Sequence, residues 1–218
     1  MKKYKIIYDD QDLLVVCKFA GLAVQSARVS TPDLMSILRN EMLERGEKKP
    51  YLGLVNRLDQ PVEGIVLIGK NEKAAADLSR QVTDHIHMEK WYQTVVCGKP
   101  EQREDPLVDY LLKDSRTNTS KVVKEGTQGS KRSELHYEVL SSDGEKTLLK
   151  IRLLTGRHHQ IRVQLSHAGL PICGDANYGK AGGPLCLCAY KDIFSQPRSG
   201  KRMEFEVNPT FPVPSTAP

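Results

Sequence analysis

Long apolar runs are missing from this 218-residue chain. No stretch approaches the ~20 apolar residues that a bilayer-spanning helix requires. The opening MKKYKIIYDDQDLL reaches acidic residues after only a short apolar stretch, unlike a secretory leader. Paired metal-ligand spacings are missing as well. The five cysteines (Cys17, Cys97, Cys173, Cys186 and Cys188) are odd in number and scattered through apolar segments. That distribution suits reduced thiols in a cytoplasmic protein. Cys186 and Cys188 share one strand face, and no C-x-x-C or H-x-x-x-H pair occurs, so no structural zinc site is expected. Internal repeats, heptads and low-complexity tracts are also lacking.

What is present suits a globular domain with ample length for a core. Hydrophobic residues make up 39% and charged residues 27%, ordinary values for a folded protein. Lys+Arg 32 against Asp+Glu 27 gives a net charge of +5. That mildly basic balance is compatible with a nucleic-acid partner and does not prove one.

Strands dominate the pattern. Tyr4 to Tyr8 and Leu13 to Lys18 read as two short strands joined by DDQD. Ser30-Thr31-Pro32-Asp33 reads as a helix start with a hydroxyl cap, followed by the stripe Leu34, Ile37, Leu38 and Met42 and a stop at Gly46. Asn71 can cap a second helix with Ala74, Leu78, Val82 and Ile86 inward. Lys90 to Val96 alternates as a strand that puts Tyr92 and Trp91 on opposite faces. Residues 98–133 are the least apolar region. Their basic stretch reads as a mobile hairpin, an insertion that grips a nucleic-acid backbone, or a solvated loop. Leu135 to Leu140 and Thr147 to Leu154 flank an Asp143-Gly144 turn. A helical pattern then runs through HQIRVQLSHAG. Two last strands, Leu185 to Phe194 and Met203 to Val207, precede a tail, 210–218, expected to fray. The class expected is α+β with a mostly antiparallel sheet.

Two polar clusters interrupt the apolar pattern. In YLGLVNRLDQPVEGIVLIGK, Arg57 and Asp59 fall on a turn between two core runs, where a scaffold can hold reacting groups. The second cluster is TGRHHQIRVQLSHAG. A carboxylate beside an arginine stays ionised, and an ionised, partly desolvated Asp is a competent nucleophile or base. An ordinary salt bridge uses the same residues. Asp59 with Glu63 also has the composition of a glycosidase pair, though four residues on a loop fix no carboxylate separation. His85, His87, His136 and His167 show no ligand spacing and read as structural. Asp175 and Tyr178 in GDANYG read as fixing their own loop by local hydrogen bonds.

Four segments then resemble one family in the right order. NRLDQPVEGIVLIGK is similar to the HRLD-x-x-T/S-S-G motif of the RluA family of RNA pseudouridine synthases. KWYQTVVCG resembles that family's K-x-Y-x-A-x-V-x-G strand. LLTGRHHQIRVQLSHAGLPICGDANYG resembles its TGR-T-HQIRVHL segment, and LCLCAYKDIFSQPRSGKRMEFEVNP its closing pattern. The likeness runs from about Tyr4 to Pro209.

The resemblance implies a pseudouridine-synthase-like α+β catalytic domain, a mostly antiparallel mixed sheet flanked by helices with a central cleft. It would span 1–218 as one domain, without an N-terminal S4-like domain. It implies isomerisation of a uridine in structured RNA, tRNA or rRNA, with no cofactor or metal, by a monomer. Asp59 stands at the catalytic aspartate, Arg162 at the arginine paired with it, and Tyr92 at the tyrosine lying against the base. Arg57 stands where an arginine fills the space of a flipped uridine, and Ile161 would line the pocket. Arg157, His158, His159, Lys121 and Lys124 are the candidate RNA contacts. The chain departs from the family at Asn56, where a His usually orients the loop, at Gln60 to Glu63, at His158 and at Cys188. Asn56, Glu63 and Cys188 keep a non-catalytic RNA-binding scaffold as the alternative; a hydrolase of free nucleosides is a third reading, which the basic insertion and the RNA-handling motifs weaken.

Overall fold

The computed structural model describes residues 2–26, 31–84 and 87–215. In chain order the elements are β1 (Tyr4–Asp9), β2 (Leu13–Lys18), α1 (Leu34–Glu44), β3 (Gly53–Leu54), β4 (Glu63–Gly69) and α2 (Glu72–Asp84). There follow β5 (Glu89–Cys97), β6 (Glu104–Asp114), β7 (Thr119–Val123), β8 (Lys131–Ser142), β9 (Lys146–Leu153), α3 (Gln160–His167), β10 (Leu187–Ser195) and β11 (Arg202–Glu206). The class is α+β, as the strand-rich pattern indicated. Two compact units divide the chain: Met1–Glu89 with Ala189–Asn208, and Lys90–Cys188 with Pro209–Pro218. Among the described residues no helix is long and apolar enough to cross a membrane.

In the first unit the strands run β1-β2-β4-β10, with β3 added to β4 and β11 to β10. The β1–β2 hairpin turns on Asp10, whose Oδ1 accepts from the Asp12 and Leu13 amides at 2.8 and 2.7 Å. β4, the run EGIVLIG, is buried at every position, which is why it reads as continuously apolar rather than alternating. Leu13, Val15, Ile65, Leu67, Leu78, Met88 and Phe194 form one core cluster. Asn71 caps α2 as expected, its Oδ1 accepting from the Ala74 amide at 2.9 Å, and Ile86 lies outside the described residues.

The start of α1 differs from the expectation. Its cap is Asp33, which accepts from the Ser36 amide at 2.8 Å while Ser36 Oγ accepts from the Asp33 amide at 3.0 Å. A carboxylate and a hydroxyl three residues apart form a reciprocal capping box, and this displaces the cap from Ser30 and Thr31. Ser30 itself lies outside the described residues. Gly46, at φ +93°, ends the helix as expected.

In the second unit the order is β5-β9-β8-β6-β7. Residues 98–133 hold β6, β7 and the start of β8, so the polar region is largely sheet. Along β6 the half-buried Asp105, Leu107 and Asp109 alternate with the exposed Glu104, Pro106 and Val108, and Leu111 is buried. α3 lies against β6 and β7, and Gln164 Nε2 donates to the Leu107 carbonyl and Asp109 Oδ2 at 3.1 and 2.8 Å. Leu111, Leu135, Leu149, Ile151, Ile161 and Leu165 are buried in this unit. Near the tail, Ser141 Oγ donates to the Pro214 carbonyl at 2.8 Å.

Gly64 fixes the exit from the polar insert. It sits at φ +124°, and a Cβ there would lie 2.3 Å from the Ala189 carbonyl oxygen. Left-handed backbone and backbone overlap act together at this position. Gly64→Ala is expected to cost roughly 2–4 kcal/mol, read as a lowered urea midpoint; an unchanged midpoint would contradict the close approach.

Candidate active site

In the first unit, the loop 56–63 is tied down at both ends. Asn56 is buried; its Nδ2 donates to the Ile65 carbonyl at 3.1 Å and its Oδ1 accepts from the Leu67 amide at 2.7 Å. The amide side chain therefore fastens the loop's entry to β4, and the departure at this position does not leave the loop unsupported. Leu58 and Val62 are buried on either side of Asp59. The Val62 amide donates to the Asp59 carbonyl at 3.0 Å, closing a turn through Gln60 and Pro61. Asp59 is half-buried at this turn and Arg57 is exposed beside it.

Beneath the turn sits a residue that sequence reasoning missed. Lys18 is 0% exposed. Its Nζ donates to the carbonyls of Leu22 at 2.8 Å, Gln60 at 3.2 Å and Phe19 at 3.3 Å. A buried ammonium requires such partners. Gln60 is further latched to Gly21, accepting its amide at 2.8 Å and donating from Nε2 to its carbonyl at 3.1 Å. Burial lowers the Lys18 pKa to about 8, while the carboxylates of Asp59 and Glu63 push it back up. Glu63, itself buried, thus adds a negative charge next to a positive one and not to Asp59 alone. The signal available in LLVVCK was a lysine ending a buried run.

In the second unit, Tyr92 lies in β5, buried and paired across from Ile151. Arg162 lies in the first turn of α3 and is 5% exposed. Its Nε and Nη2 each donate to the carboxylate of Asp175 at 2.8 Å, a bidentate pair. Asp175 also accepts from the Asn177 and Tyr178 amides at 3.0 and 3.2 Å. Burial pushes the Asp175 carboxyl upward, but the Arg162 hydrogen bond and charge and those amides outweigh it and hold it below its ordinary value. The local bonds expected of GDANYG are present, and the carboxylate does more than fix its loop. Gly174, at φ +79°, brings that loop against the Pro184 carbonyl, where a Cβ would lie at 2.0 Å.

Around this pair runs a chain of polar contacts. The Arg162 guanidinium lies 5.2 Å from the Tyr178 ring centroid. The Tyr178 hydroxyl accepts from the Ser120 amide at 2.7 Å and meets His159 Nδ1 at 2.8 Å. Ser120 Oγ donates to the His158 carbonyl at 2.9 Å and meets His158 Nδ1 at 3.0 Å. The rings of His158 and His159 stack with centroids 3.8 Å apart. His159 takes φ +54° to start α3, a strained setting held by these contacts. Arg157 is exposed and donates from Nε to the Arg132 carbonyl at 3.2 Å. Lys121, next to Ser120, and Lys124 are exposed on the same hairpin, so the docked Ser120 carries a basic edge with it. Ile161 is buried beside Arg162. His87, His136 and His167 lie near Asp84, Glu134 and Asp109 at 2.7, 3.4 and 4.0 Å; His85 lies outside the described residues.

Among the described residues no group of three or more His, Cys, Asp or Glu is arranged to hold a metal ion. A cavity of about 780 Å³ in the first unit is lined by Asp12, Tyr51, Asn71, Lys73 and Arg198 and includes neither Asp59 nor Lys18. Its Arg198 is bound to Asp12 through two nitrogens at 2.7 and 2.9 Å, which suits a structural clasp.

With this geometry in place, comparison with known proteins is specific. The family model described as RNA pseudouridylate synthase matches residues 12–167. An uncharacterized RNA pseudouridine synthase, YlyB, of Bacillus subtilis (strain 168) is 31% identical over 213 residues, covering 92% of this chain and 67% of that protein. The ribosomal large subunit pseudouridine synthase D of Nitrosomonas europaea is 33% identical over 177 residues, covering 81% of this chain and 50% of that protein. The chain thus spans between half and two thirds of the length of these relatives. The solved structure titled Human RNA Pseudouridylate Synthase Domain Containing 4 has a TM-score of 0.78 at 21% identity, covering 94% of this chain and 88% of that chain. The one titled Human RNA Pseudouridylate Synthase Domain Containing 1 has a TM-score of 0.76 at 23% identity, covering 94% and 83%. At these identities the structures show the shared fold.

Two stability predictions follow from the buried charges. Asp175→Asn keeps the shape but leaves Arg162 without its carboxylate, and is expected to cost about 3–5 kcal/mol by urea denaturation at neutral pH. A loss below 1 kcal/mol would show that the pair is not the holding contact. For Lys18, the folded pKa of about 8 lies below the unfolded value near ~10.4. Between those values the unfolded chain binds more protons, so the lysine's contribution to stability rises with pH. Wild type is therefore expected to gain stability relative to Lys18→Met between pH 7 and pH 10. A difference flat with pH would contradict the buried charge.

Proposed function

The chain belongs to the family described as RNA pseudouridylate synthase, and from that premise we propose that it isomerises a specific uridine in structured RNA, tRNA or rRNA, to pseudouridine. The observation that carries the reading is the family match across residues 12–167, which includes Asp59, Tyr92 and Arg162. The reaction breaks the N1–C1′ bond, turns the base and joins C5 to C1′, with the C5 proton lost to solvent and N1 gaining one. It is redox-neutral and consumes no cofactor.

In this reading Asp59 is the reacting carboxylate, attacking the sugar at C1′ or acting on it as a base. Its support is the fixed turn above Lys18, which gives a half-buried carboxylate a defined direction. Tyr92 offers the extruded base a ring face, worth about 1–3 kcal/mol per base, and takes the C5 proton. Arg162, aligned by Asp175, takes the part of the arginine that the family resemblance pairs with the catalytic aspartate. Arg57, exposed on the same turn as Asp59, fills the space the uridine leaves, and Ile161 lines the pocket. Arg157, His158, His159, Lys121 and Lys124 meet the RNA backbone, which makes binding salt-dependent. The proposal extends to a cytoplasmic location, which the cysteine usage led us to expect, and to a monomer with RNA as its macromolecular partner and no metal.

The test is complementation of a deletion strain followed by transcriptome-wide pseudouridine mapping, which also names the target. Wild type is expected to restore modification at a defined site. Asp59→Asn is expected to restore none while binding the target RNA within a few-fold of wild type. Wild-type protein that binds RNA and restores no pseudouridine anywhere would replace this reading with an RNA-binding scaffold.

A further inference from the structure

Three of the five cysteines that the sequence scatters come together in the second unit. Cys97, at the end of β5, is exposed. Cys173 lies just past the bridge that pairs Val96 with Ile172. The Sγ atoms of Cys97 and Cys173 are 2.7 Å apart, so a shift well under an ångström brings them to the ~2.05 Å of a disulfide bond. The backbone holds both residues in place. The Cys97 amide donates to the Pro171 carbonyl and the Cys173 amide to the Val95 carbonyl, each at 2.9 Å. Cys186 is the third thiol; its amide donates to the Cys173 carbonyl at 3.0 Å, but its Sγ points to the Pro184 carbonyl at 3.6 Å.

We propose that Cys97 and Cys173 form an oxidation site at which peroxide drives a reversible disulfide. The accessible Cys97 attacks one peroxide oxygen as its thiolate, breaking the O–O bond and giving a sulfenic acid and hydroxide, which takes up a proton to become water. The Cys173 sulfur then attacks the sulfenic sulfur; the S–O bond breaks, and the hydroxyl leaves as a second water with the Cys173 proton. Two thiols are oxidised by two electrons and one peroxide is reduced to two waters. The unequal exposure sets the order of attack. Burial, with the Cys97 contact second, pushes the Cys173 thiol up to about 12, which leaves the more exposed Cys97 as the first of the two to react with peroxide. Cys186 is the weaker rival because its thiol meets the Pro184 carbonyl, whereas Cys97 Sγ lies 2.7 Å from Cys173 Sγ.

The bond has a structural consequence that does not depend on the reaction the protein catalyses. Closing residues 97 to 173 ties β5 to the segment that ends in Asp175, whose amide donates to the Ile172 carbonyl at 3.1 Å. The oxidised unit is constrained in its unfolded state and gains stability.

The test is titration of the full chain with hydrogen peroxide, then alkylation, intact mass measurement and non-reducing peptide mapping. Wild type and Cys186→Ser are expected to lose the mass of two hydrogen atoms and yield a Cys97–Cys173 linked peptide, reversed by dithiothreitol. Their melting temperature is expected to rise on oxidation, and Cys97→Ser to show neither change. Accumulation of sulfinic acid at Cys97 without a linked peptide, or a Cys173–Cys186 link instead, would overturn the proposal.

Discussion

A lysine buried from solvent organises the loop that carries Asp59. The Lys18 ammonium has three carbonyls as hydrogen-bond partners and two carboxylates in electrostatic reach. Removing any of these leaves a charge or a dipole uncompensated in a dry setting, and that cost enforces the arrangement. One of the carbonyls belongs to Gln60, adjacent to Asp59, so satisfying the lysine also fixes the turn. Asn56 fastens the other end to β4, and Gly64 lets β4 pass against Ala189. A carboxylate on a surface turn thereby becomes one on a rigid support.

The second unit solves a similar problem with opposite emphasis. There the buried cation is Arg162, and its planar fork takes both oxygens of Asp175. The remaining lone pairs of that carboxylate meet loop amides, and the neighbouring Tyr178 hydroxyl passes the network to Ser120 and the two stacked histidines. Ser120 thus ties the basic hairpin to this network, and its exposed lysines inherit a defined position. Buried polar groups of this kind contribute less net stability than uniqueness of arrangement, which is what positioning side chains requires.

Much of this was legible in the sequence. The continuous burial of β4, the Asn71 cap and the Asp143-Gly144 turn follow from periodicity and turn chemistry. Four motifs in order pointed to the family. What escaped were pairings between distant residues and choices among neighbours. Lys18 reads as the polar end of a strand, because nothing local reveals that Leu22 and Gln60 carbonyls converge on it. Asp175 reads as an Asx residue, since its loop amides are near and Arg162 is not. Asn56 looked like a lost function, whereas its short amide reaches β4. Asp33 took the cap of α1 from its hydroxyl neighbours because Ser36 completes the reciprocal bond. Cys97 and Cys173 meet only through a bridge between segments far apart in the chain.

The account rests on Asp59 acting on a uridine that stays within its RNA strand. The most direct measurement is release of tritium from RNA labelled at uridine C5, taken from cells lacking this protein and incubated with the purified chain. The account predicts tritium in solvent in proportion to pseudouridine formed, with no free uracil. RNA that is bound but retains its tritium, or tritiated uracil in solution, would contradict it.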